Sequence, residues 1–374
     1  MKIGILGDLI QSPKSIYDSN LLEILNSTDF NIANLEAPFI KKDFIPANKK
    51  RGLHQLTNNC NNLHKLNIKA VSLANNHIFD FGLAGLENTI RILESENIDY
   101  FGAGSNLTEA SKVKEFRIRN KSIALGGYIS PYLTPYIAKK NKPGVAPLKE
   151  NIIIKALNSS HTDYKLIYNH WPQEFESYPE PLYLDLSKNL INYCDTIIGS
   201  HSHCIQGITK LNNKSIFYSL GNFTIPHANY YNIFLKKYPE HCYTSFFIIL
   251  YFKNNGHINY QIIPYKINED GTQILKMTND DKKLFQNKLN KISLPLQLNY
   301  KKYRSFYNSK KYRKFRPTLH KCHFLNLILL KINSIIIRFI HKFSYLSAKF
   351  LDFLGLRKVI RKKFSFILDK LFKL

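Results

Sequence analysis

Apolar and polar positions follow two rhythms along the first third of the chain. Short runs rich in apolar residues at Lys2–Gly7, Phe30–Leu35, Lys69–Ala74, Glu115–Arg119 and Ser122–Gly127 predict strands. Helix candidates lie around Asn20–Ser27, Thr57–Leu66 and Leu83–Glu96, and in the last of these Leu83, Leu86, Ile90 and Leu93 recur at helical spacing. Strands alternating with helices predict an α/β layered fold with a largely parallel sheet. Residues 129–150 carry Pro131, Pro135, Pro143 and Pro147 and read as a long surface loop. The alternation then resumes with a strand at Lys165–Asn169, a helix at Leu182–Tyr193 and a strand at Thr196–Gly199. Gly207–Leu211 and Lys214–Tyr218 flank an Asn-Asn turn, and Ser245–Phe252 and His257–Ile263 flank Asn254-Asn255-Gly256, a hairpin signal. The second half of the sheet is therefore expected to be antiparallel or mixed. A polar helix near Asp280–Lys291 closes the globular domain, which spans 1–295.

From Lys301 the pattern changes. Lys301–Arg316 interleaves basic and aromatic residues and ends at Pro317. Two amphipathic helical stretches follow, 323–350 and 356–373. In the first, Lys331, Ser334, Arg338, His341 and Tyr345 form a narrow polar stripe; in the second, Leu356, Ile360, Phe364, Ile367 and Leu371 line one face. The longest run there without a charged residue is Cys322–Leu330, far short of the ~20 residues that span a bilayer.

Charge sharpens this division. The chain carries 53 Lys and Arg against 27 Asp and Glu. Residues 301–374 hold 20 of those bases and only two acids, Asp352 and Asp369, a net +18 within an overall +26. A solvated helical layer accounts for the apolar faces but not for the charge; a basic amphipathic helix lying on an anionic membrane surface accounts for both. Each Lys or Arg near such a leaflet adds roughly 1 kcal/mol before screening. Nucleic acid is the competing partner, because Tyr and Phe are interleaved with the bases of Lys301–Arg316. The apolar faces that follow favour lipid. Met1–Gly7 lacks the features of a signal peptide, and five scattered cysteines (Cys60, Cys194, Cys204, Cys242, Cys322) form no disulfide framework. The expected location is cytoplasmic, peripheral at the inner face of the membrane.

The candidate chemistry sits where strands end. Asp8 follows the first strand, Glu36 the second, Asn75-Asn76-His77 the third and His201-Ser202-His203 the strand at Thr196–Gly199; His170 ends the strand at Lys165–Asn169. Ligands of open α/β sheets bind outside the carboxyl ends of strands, so these five ends can converge on one crevice. Carboxylates, an amide oxygen and neutral imidazoles suit a hard or borderline divalent cation (Mn, Zn, Fe or Mg), which lowers the pKa of bound water towards ~7. His77 is placed to protonate a leaving group or stabilise developing charge, and Asp80 to orient that imidazole.

At these residues the chain resembles the poly-γ-glutamate capsule-synthesis CapA proteins, relatives of the calcineurin-like metallophosphatases. The matching motifs are Gly7-Asp8, Asn34-Leu35-Glu36-Ala37-Pro38, Ala74-Asn75-Asn76-His77 with Asp80 and Gly82, His170-Trp171 with Glu174, Gly199-Ser200-His201-Ser202-His203, and Ser219-Leu220-Gly221-Asn222-Phe223. The resemblance implies a metallophosphatase-like layered sandwich of mixed sheets flanked by helices, one or two divalent ions, an anionic polymer or phosphoester substrate, and work on a cell-surface polymer. Carried over motif by motif, it implies Asp8 and His203 on one metal, Glu36 bridging, Asn76, His170 and His201 on the second, and His77 as the catalytic imidazole. The metallophosphatase Asp-x-His motif has Ile10 at its third position here, and its bridging Asp is Glu36. Either a metal-dependent hydrolase or a non-catalytic assembly or export factor with a remnant site is compatible with that departure.

Other residues carry plainer readings. His54, His64, His161 and His227 read as structural or solvated, Trp171 and Phe223 as wall or core, and Cys204 as a small buried residue outside the site. Glu174 and Asp80 read as groups that orient ligands.

Overall fold

The computed structural model describes residues 1–41, 43–47, 52–226 and 237–309. Residues 1–312 form one unit and 313–374 another. The two amphipathic stretches 323–350 and 356–373, and His227, lie outside the described residues.

Lys2–Leu9 is the pivot of the larger sheet because it is buried on both faces from Ile3 onward. Ile3 and Ile5 point into a core shared with Ile123, Leu125, Leu166 and Ile198 of a second sheet. Leu6 and Leu9 belong instead to a cluster with Leu21 and Leu25, Leu63, and Leu86 and Leu93. These come from the helices Ser19–Asn26, Asn61–Lys65 and Gly82–Ser95, which cover the outer face. The arrangement is a layered one, each burying large aliphatic side chains worth about 1.5–3 kcal/mol apiece.

In the larger sheet the strands run in the order Ile16–Tyr17, Gln273–Lys276, Ile258–Ile267, Thr244–Phe252, Lys2–Leu9, Phe30–Leu35, Ile68–Ser72, Asp99–Phe101, with Asn222–Thr224 also paired to Lys2–Leu9. The half from Lys2–Leu9 to Asp99–Phe101 is parallel, and Thr244–Phe252 and Ile258–Ile267 form the expected antiparallel hairpin. The second sheet runs Ile208–Leu211, Lys214–Phe217, Thr196–Ser200, Tyr164–His170, Lys121–Ile129, Lys114–Ile118, with its four inner strands parallel. The α/β sandwich of mixed sheets flanked by helices is thus the observed fold.

A local irregularity aims the first acid. Pairing with Phe30–Leu35 shifts register between Ile5 and Asp8. Strand side chains alternate, so an unbroken strand would put residue 8 on the face opposite Ile5. The shift returns Asp8 to the inter-sheet side, in register with Asn34. Tyr168 of the second sheet donates its hydroxyl to Leu6 O (2.6 Å) at this irregularity. Gly7 permits the close approach there, since a Cβ would collide with Gly221 O.

Two sequence expectations need correction, and one helix was not foreseen. Residues 129–150 are not only a loop: Gly144–Val145 pairs antiparallel with Ala103–Gly104. Glu150–Asn158 is a helix that buries Ile153 and Leu157, too short for its periodicity to stand out. The boundary at 301 also moves. Tyr300–Asn308 is a helix whose Tyr303 is fully buried, donating to Pro179 O (2.6 Å), while Phe306 meets Tyr178 edge-on at 5.0 Å. Its aromatic residues fall on one face, so the start of the basic stretch belongs to the first unit.

Candidate metal centre

The carboxyl ends of parallel strands from both sheets supply the site. Asp8 and Glu36 are fully buried, and the Asn34 amide spans them: its Nδ2 donates to Asp8 Oδ1 (2.9 Å) and closely to Glu36 Oε2. Asn34 is held in turn by Asn75, whose Nδ2 donates to Asn34 Oδ1 (3.2 Å) and Leu35 O (2.7 Å). Asn75 Oδ1 accepts from His77 N and Ile78 N, forming the turn that presents Asn76 and His77.

From the second sheet, His170 stands in register with Ser200. Ser200 Oγ donates to Asn169 O (3.2 Å), so it accepts from His170 Nδ1 (2.9 Å). That leaves His170 Nε2 as the lone-pair nitrogen, 2.8 Å from Asn76 Oδ1 and 3.7 Å from Glu36 Oε1. Three acceptors facing one another repel unless a proton or cation sits among them. Glu36, His170 and His201 bring ligand atoms within 4.8 Å of each other. Glu36 Oε1 and His201 Nδ1 are buried and have no hydrogen-bond partner.

His201 and His203 adopt φ of 84° and 56°. This left-handed region costs a non-glycine residue energy and persists where surroundings enforce it. Here His201 N donates to Asp8 Oδ2 (3.1 Å), and His203 Nδ1 donates to Asn222 Oδ1 (2.9 Å) with Asp8 Oδ2 at 3.6 Å. Glu174, His201 and His203 form a second group within 4.8 Å. His77 Nδ1 lies 2.9 Å from Asp80 Oδ2, which also accepts from Leu53 N (2.8 Å).

The electrostatics follow from burial. Desolvation raises the Asp8 carboxyl, and it raises Glu36 well above the usual range with Asp8 adding to the push. Desolvation holds His170 well below its ordinary value and pushes His201 down to about 3. Two buried acids therefore sit beside His170 and His201, both of which stay neutral. Burying an uncompensated carboxylate costs several kcal/mol. A divalent cation would offset the charge of both acids and give Glu36 and His201 a partner, so the donor set fits one.

All eight residues singled out from the sequence lie around this crevice. Glu36, Asn76, His170 and His201 group on one side, Asp8 and His203 on the other, and His77 with Asp80 at the rim. Two residues carry more than the sequence reading gave them. Asn34 spans both acids, and Glu174 shares the His201–His203 group rather than standing behind it. Both lie in quoted motifs, which was the available signal. Ile10 is 1% exposed and packs with Ala37, Leu53 and Ile225, so the third position of the first motif adds apolar packing and no donor.

Comparison with known proteins gives the chain's relatives. The chain is 28% identical over 251 residues to the PGA biosynthesis protein CapA of Bacillus subtilis, covering 66% of this chain and 63% of that one. It is 27% identical over 209 residues to the capsule biosynthesis protein CapA of Bacillus anthracis, covering 53% of this chain and 51% of that one. The chain thus spans between half and two thirds of the length of these relatives. A novel phosphatase from Mycoplasma pneumoniae superimposes with a TM-score of 0.46 and 11% identity over 71% of this chain and 92% of its own, too loose a likeness to bear on function. Residues 7–226 match the model of the bacterial capsule synthesis protein PGA_cap, and since these residues make up more than half of the chain and contain every donor of the crevice, the chain belongs to that family.

Proposed function

We propose that the protein is a metal-dependent hydrolase acting in capsule or surface-polymer biosynthesis, on a phosphoester or on an amide of an anionic polyglutamate-like chain. One observation carries the reading: Glu36, His170 and His201 bring ligand atoms within 4.8 Å of one another in a buried space, where Glu36 Oε1 and His201 Nδ1 have no hydrogen-bond partner. Glu36, Asn76, His170 and His201 would hold one divalent cation, and Asp8, His203 and Glu174 favour a second. Such a cation supplies Lewis-acid activation of water and of the scissile group.

The chain's own residues do the rest. Asp80 accepts from His77 Nδ1, which places the imidazole lone pair on Nε2, the nitrogen that would exchange a proton with substrate. Asn34 keeps the two acids at a fixed separation through one amide. Tyr168 and Tyr265 seal the floor, donating to Leu6 O (2.6 Å) and Asn222 O (2.7 Å). Hydrolysis of poly-γ-glutamate and of simple phosphoesters by metal-supplemented protein tests the reading, with His77→Ala and His201→Ala abolishing it.

A specific feature favours a second reading. With Ile10 buried where an imidazole would complete the Asp8 side, a non-catalytic assembly or export factor with a remnant site is the alternative; metal binding with no wild-type turnover above background would select it. The basic tail supports attachment to an anionic membrane surface, at the inner face of the cell membrane, more than to nucleic acid. No helix among the described residues is long and apolar enough to cross a membrane. Co-sedimentation of full-length protein, but not of a chain ending at residue 312, with anionic vesicles supports that attachment. Equal partition of the two would remove it.

A further inference from the structure

Behind the His201–His203 loop lies a different donor set. Cys204, His241 and Cys242 place two sulfurs and an imidazole nitrogen within 4.8 Å of one another. Both cysteines are free thiols, Cys204 fully buried and Cys242 1% exposed. They come from separate parts of the chain: Cys204 directly follows His203, and His241 and Cys242 sit on the short 3-10 turn Glu240–Cys242.

The imidazole is already oriented. His241 Nε2 lies 3.0 Å from Phe175 O, and a carbonyl can only accept, so Nε2 carries the proton and Nδ1 keeps the lone pair. An imidazole whose second nitrogen donates to a backbone carbonyl is the arrangement that typically fixes a metal-ligating histidine. Core cysteines usually serve as small hydrophobic fillers. Two of them converging with such an imidazole is instead a sulfur-and-nitrogen set suited to zinc-class cations, and distinct in kind from the oxygen-and-nitrogen set of Asp8, Glu36 and the crevice histidines.

We propose that Cys204, Cys242 and His241 bind a thiolate-preferring divalent cation of the zinc class, which clamps the walls of the crevice from behind. Binding displaces the two thiol protons and leaves the fourth tetrahedral position to water. The clamp joins three segments. Cys204 anchors the loop that presents His201 and His203. Phe175, which accepts from His241, also donates its N–H to Ser202 O (2.8 Å) and lies next to Glu174. The turn at Glu240–Cys242 ties both to the start of the Thr244–Phe252 strand. The site shares no ligand with the crevice and does not depend on hydrolysis.

Cobalt substitution tests it in the full-length protein. Thiolate ligands give Co2+ an intense near-ultraviolet charge-transfer band, which an oxygen-and-nitrogen site does not. The expected result is such a band, saturating at one ion per chain, displaced by Zn2+, and lost in Cys204→Ser and Cys242→Ser. His241→Ala retains both thiols and guards against misfolding of the cysteine variants; its band should weaken and titrate with lower affinity. Glu36→Gln should leave the band unchanged, which separates this site from the crevice. Absence of the band in wild-type protein, an unchanged titration in His241→Ala, or a Cys204–Cys242 disulfide in peptides from protein purified without reductant would overturn the proposal.

Discussion

Replacing Glu36 by Gln should remove metal-dependent stabilisation while leaving the metal-free protein at least as stable as the wild type. The reason lies in the two oxygens. Oε2 accepts from Asn34, and a Gln oxygen can do the same; Oε1 faces His170 Nε2 and Asn76 Oδ1 without a donor. A Gln Nε2 placed there would donate to those acceptors permanently, where metal-free Glu36 meets them only by holding the proton that burial and Asp8 favour. Satisfying a buried polar group of this kind is worth about 1–3 kcal/mol, so metal-free Glu36→Gln should match or exceed wild type by roughly that amount. Metal acts in the opposite sense. At a hundredfold excess over Kd a ligand stabilises the folded state by about 2.7 kcal/mol, which for a unit of this size is on the order of 5 °C in Tm. Thermal unfolding in chelator, then in a Mn2+ titration, reads both effects. Mn2+ is the suitable probe because thiolates hold it weakly, which keeps the cysteine cluster silent. A variant that is less stable than wild type in chelator, or that shows the same Mn2+-induced shift, would refute the reasoning.

Further outcomes follow from the same geometry. His77→Ala should lower kcat by about 10²–10⁴-fold with the Mn2+-induced Tm shift retained, and Asp80→Asn by about 10–100-fold; equal loss of metal binding in His77→Ala would make His77 a ligand instead. His201 has its folded pKa lowered to about 3, so its contribution to metal-free stability is full above the ordinary histidine value and is lost as pH falls below it. Urea unfolding should therefore show wild type losing about 2 kcal/mol more than His201→Asn between about pH 7 and about pH 5, and parallel pH profiles would contradict a neutral His201. Tyr168→Phe removes the bond to Leu6 O at the register shift and should cost about 1 kcal/mol in unfolding free energy, with a weaker Mn2+ shift because Asp8 is no longer held in place.

Much of this was legible in the sequence, for identifiable reasons. The strands at Lys2–Leu9, Phe30–Leu35 and Tyr164–His170 are buried on both faces and so read as apolar runs with a polar residue at the end. The helix Gly82–Ser95 is long enough for its period to show. Glu150–Asn158 and Asp99–Phe101 were missed because nine and three residues hold too few turns or alternations to distinguish. Tyr300–Asn308 was assigned to the tail because its composition is basic; only packing shows that Tyr303 is held by Pro179. Within the site, residue types at strand ends identified the donors. The span of Asn34 across two acids depends on a register shift between Ile5 and Asp8, and no local pattern encodes it. The cluster at Cys204 was read as filler since its partners lie almost forty residues away, on a turn of three residues.

The claim at the centre is that Glu36, Asn76, His170 and His201 share one cation. Anomalous diffraction from a crystal grown with Mn2+ tests it most directly. A peak within coordination distance of Glu36 Oε1, His170 Nε2 and His201 Nδ1 is the predicted result. A crevice with no peak at saturating Mn2+, or a peak bound only at other residues, would contradict the account.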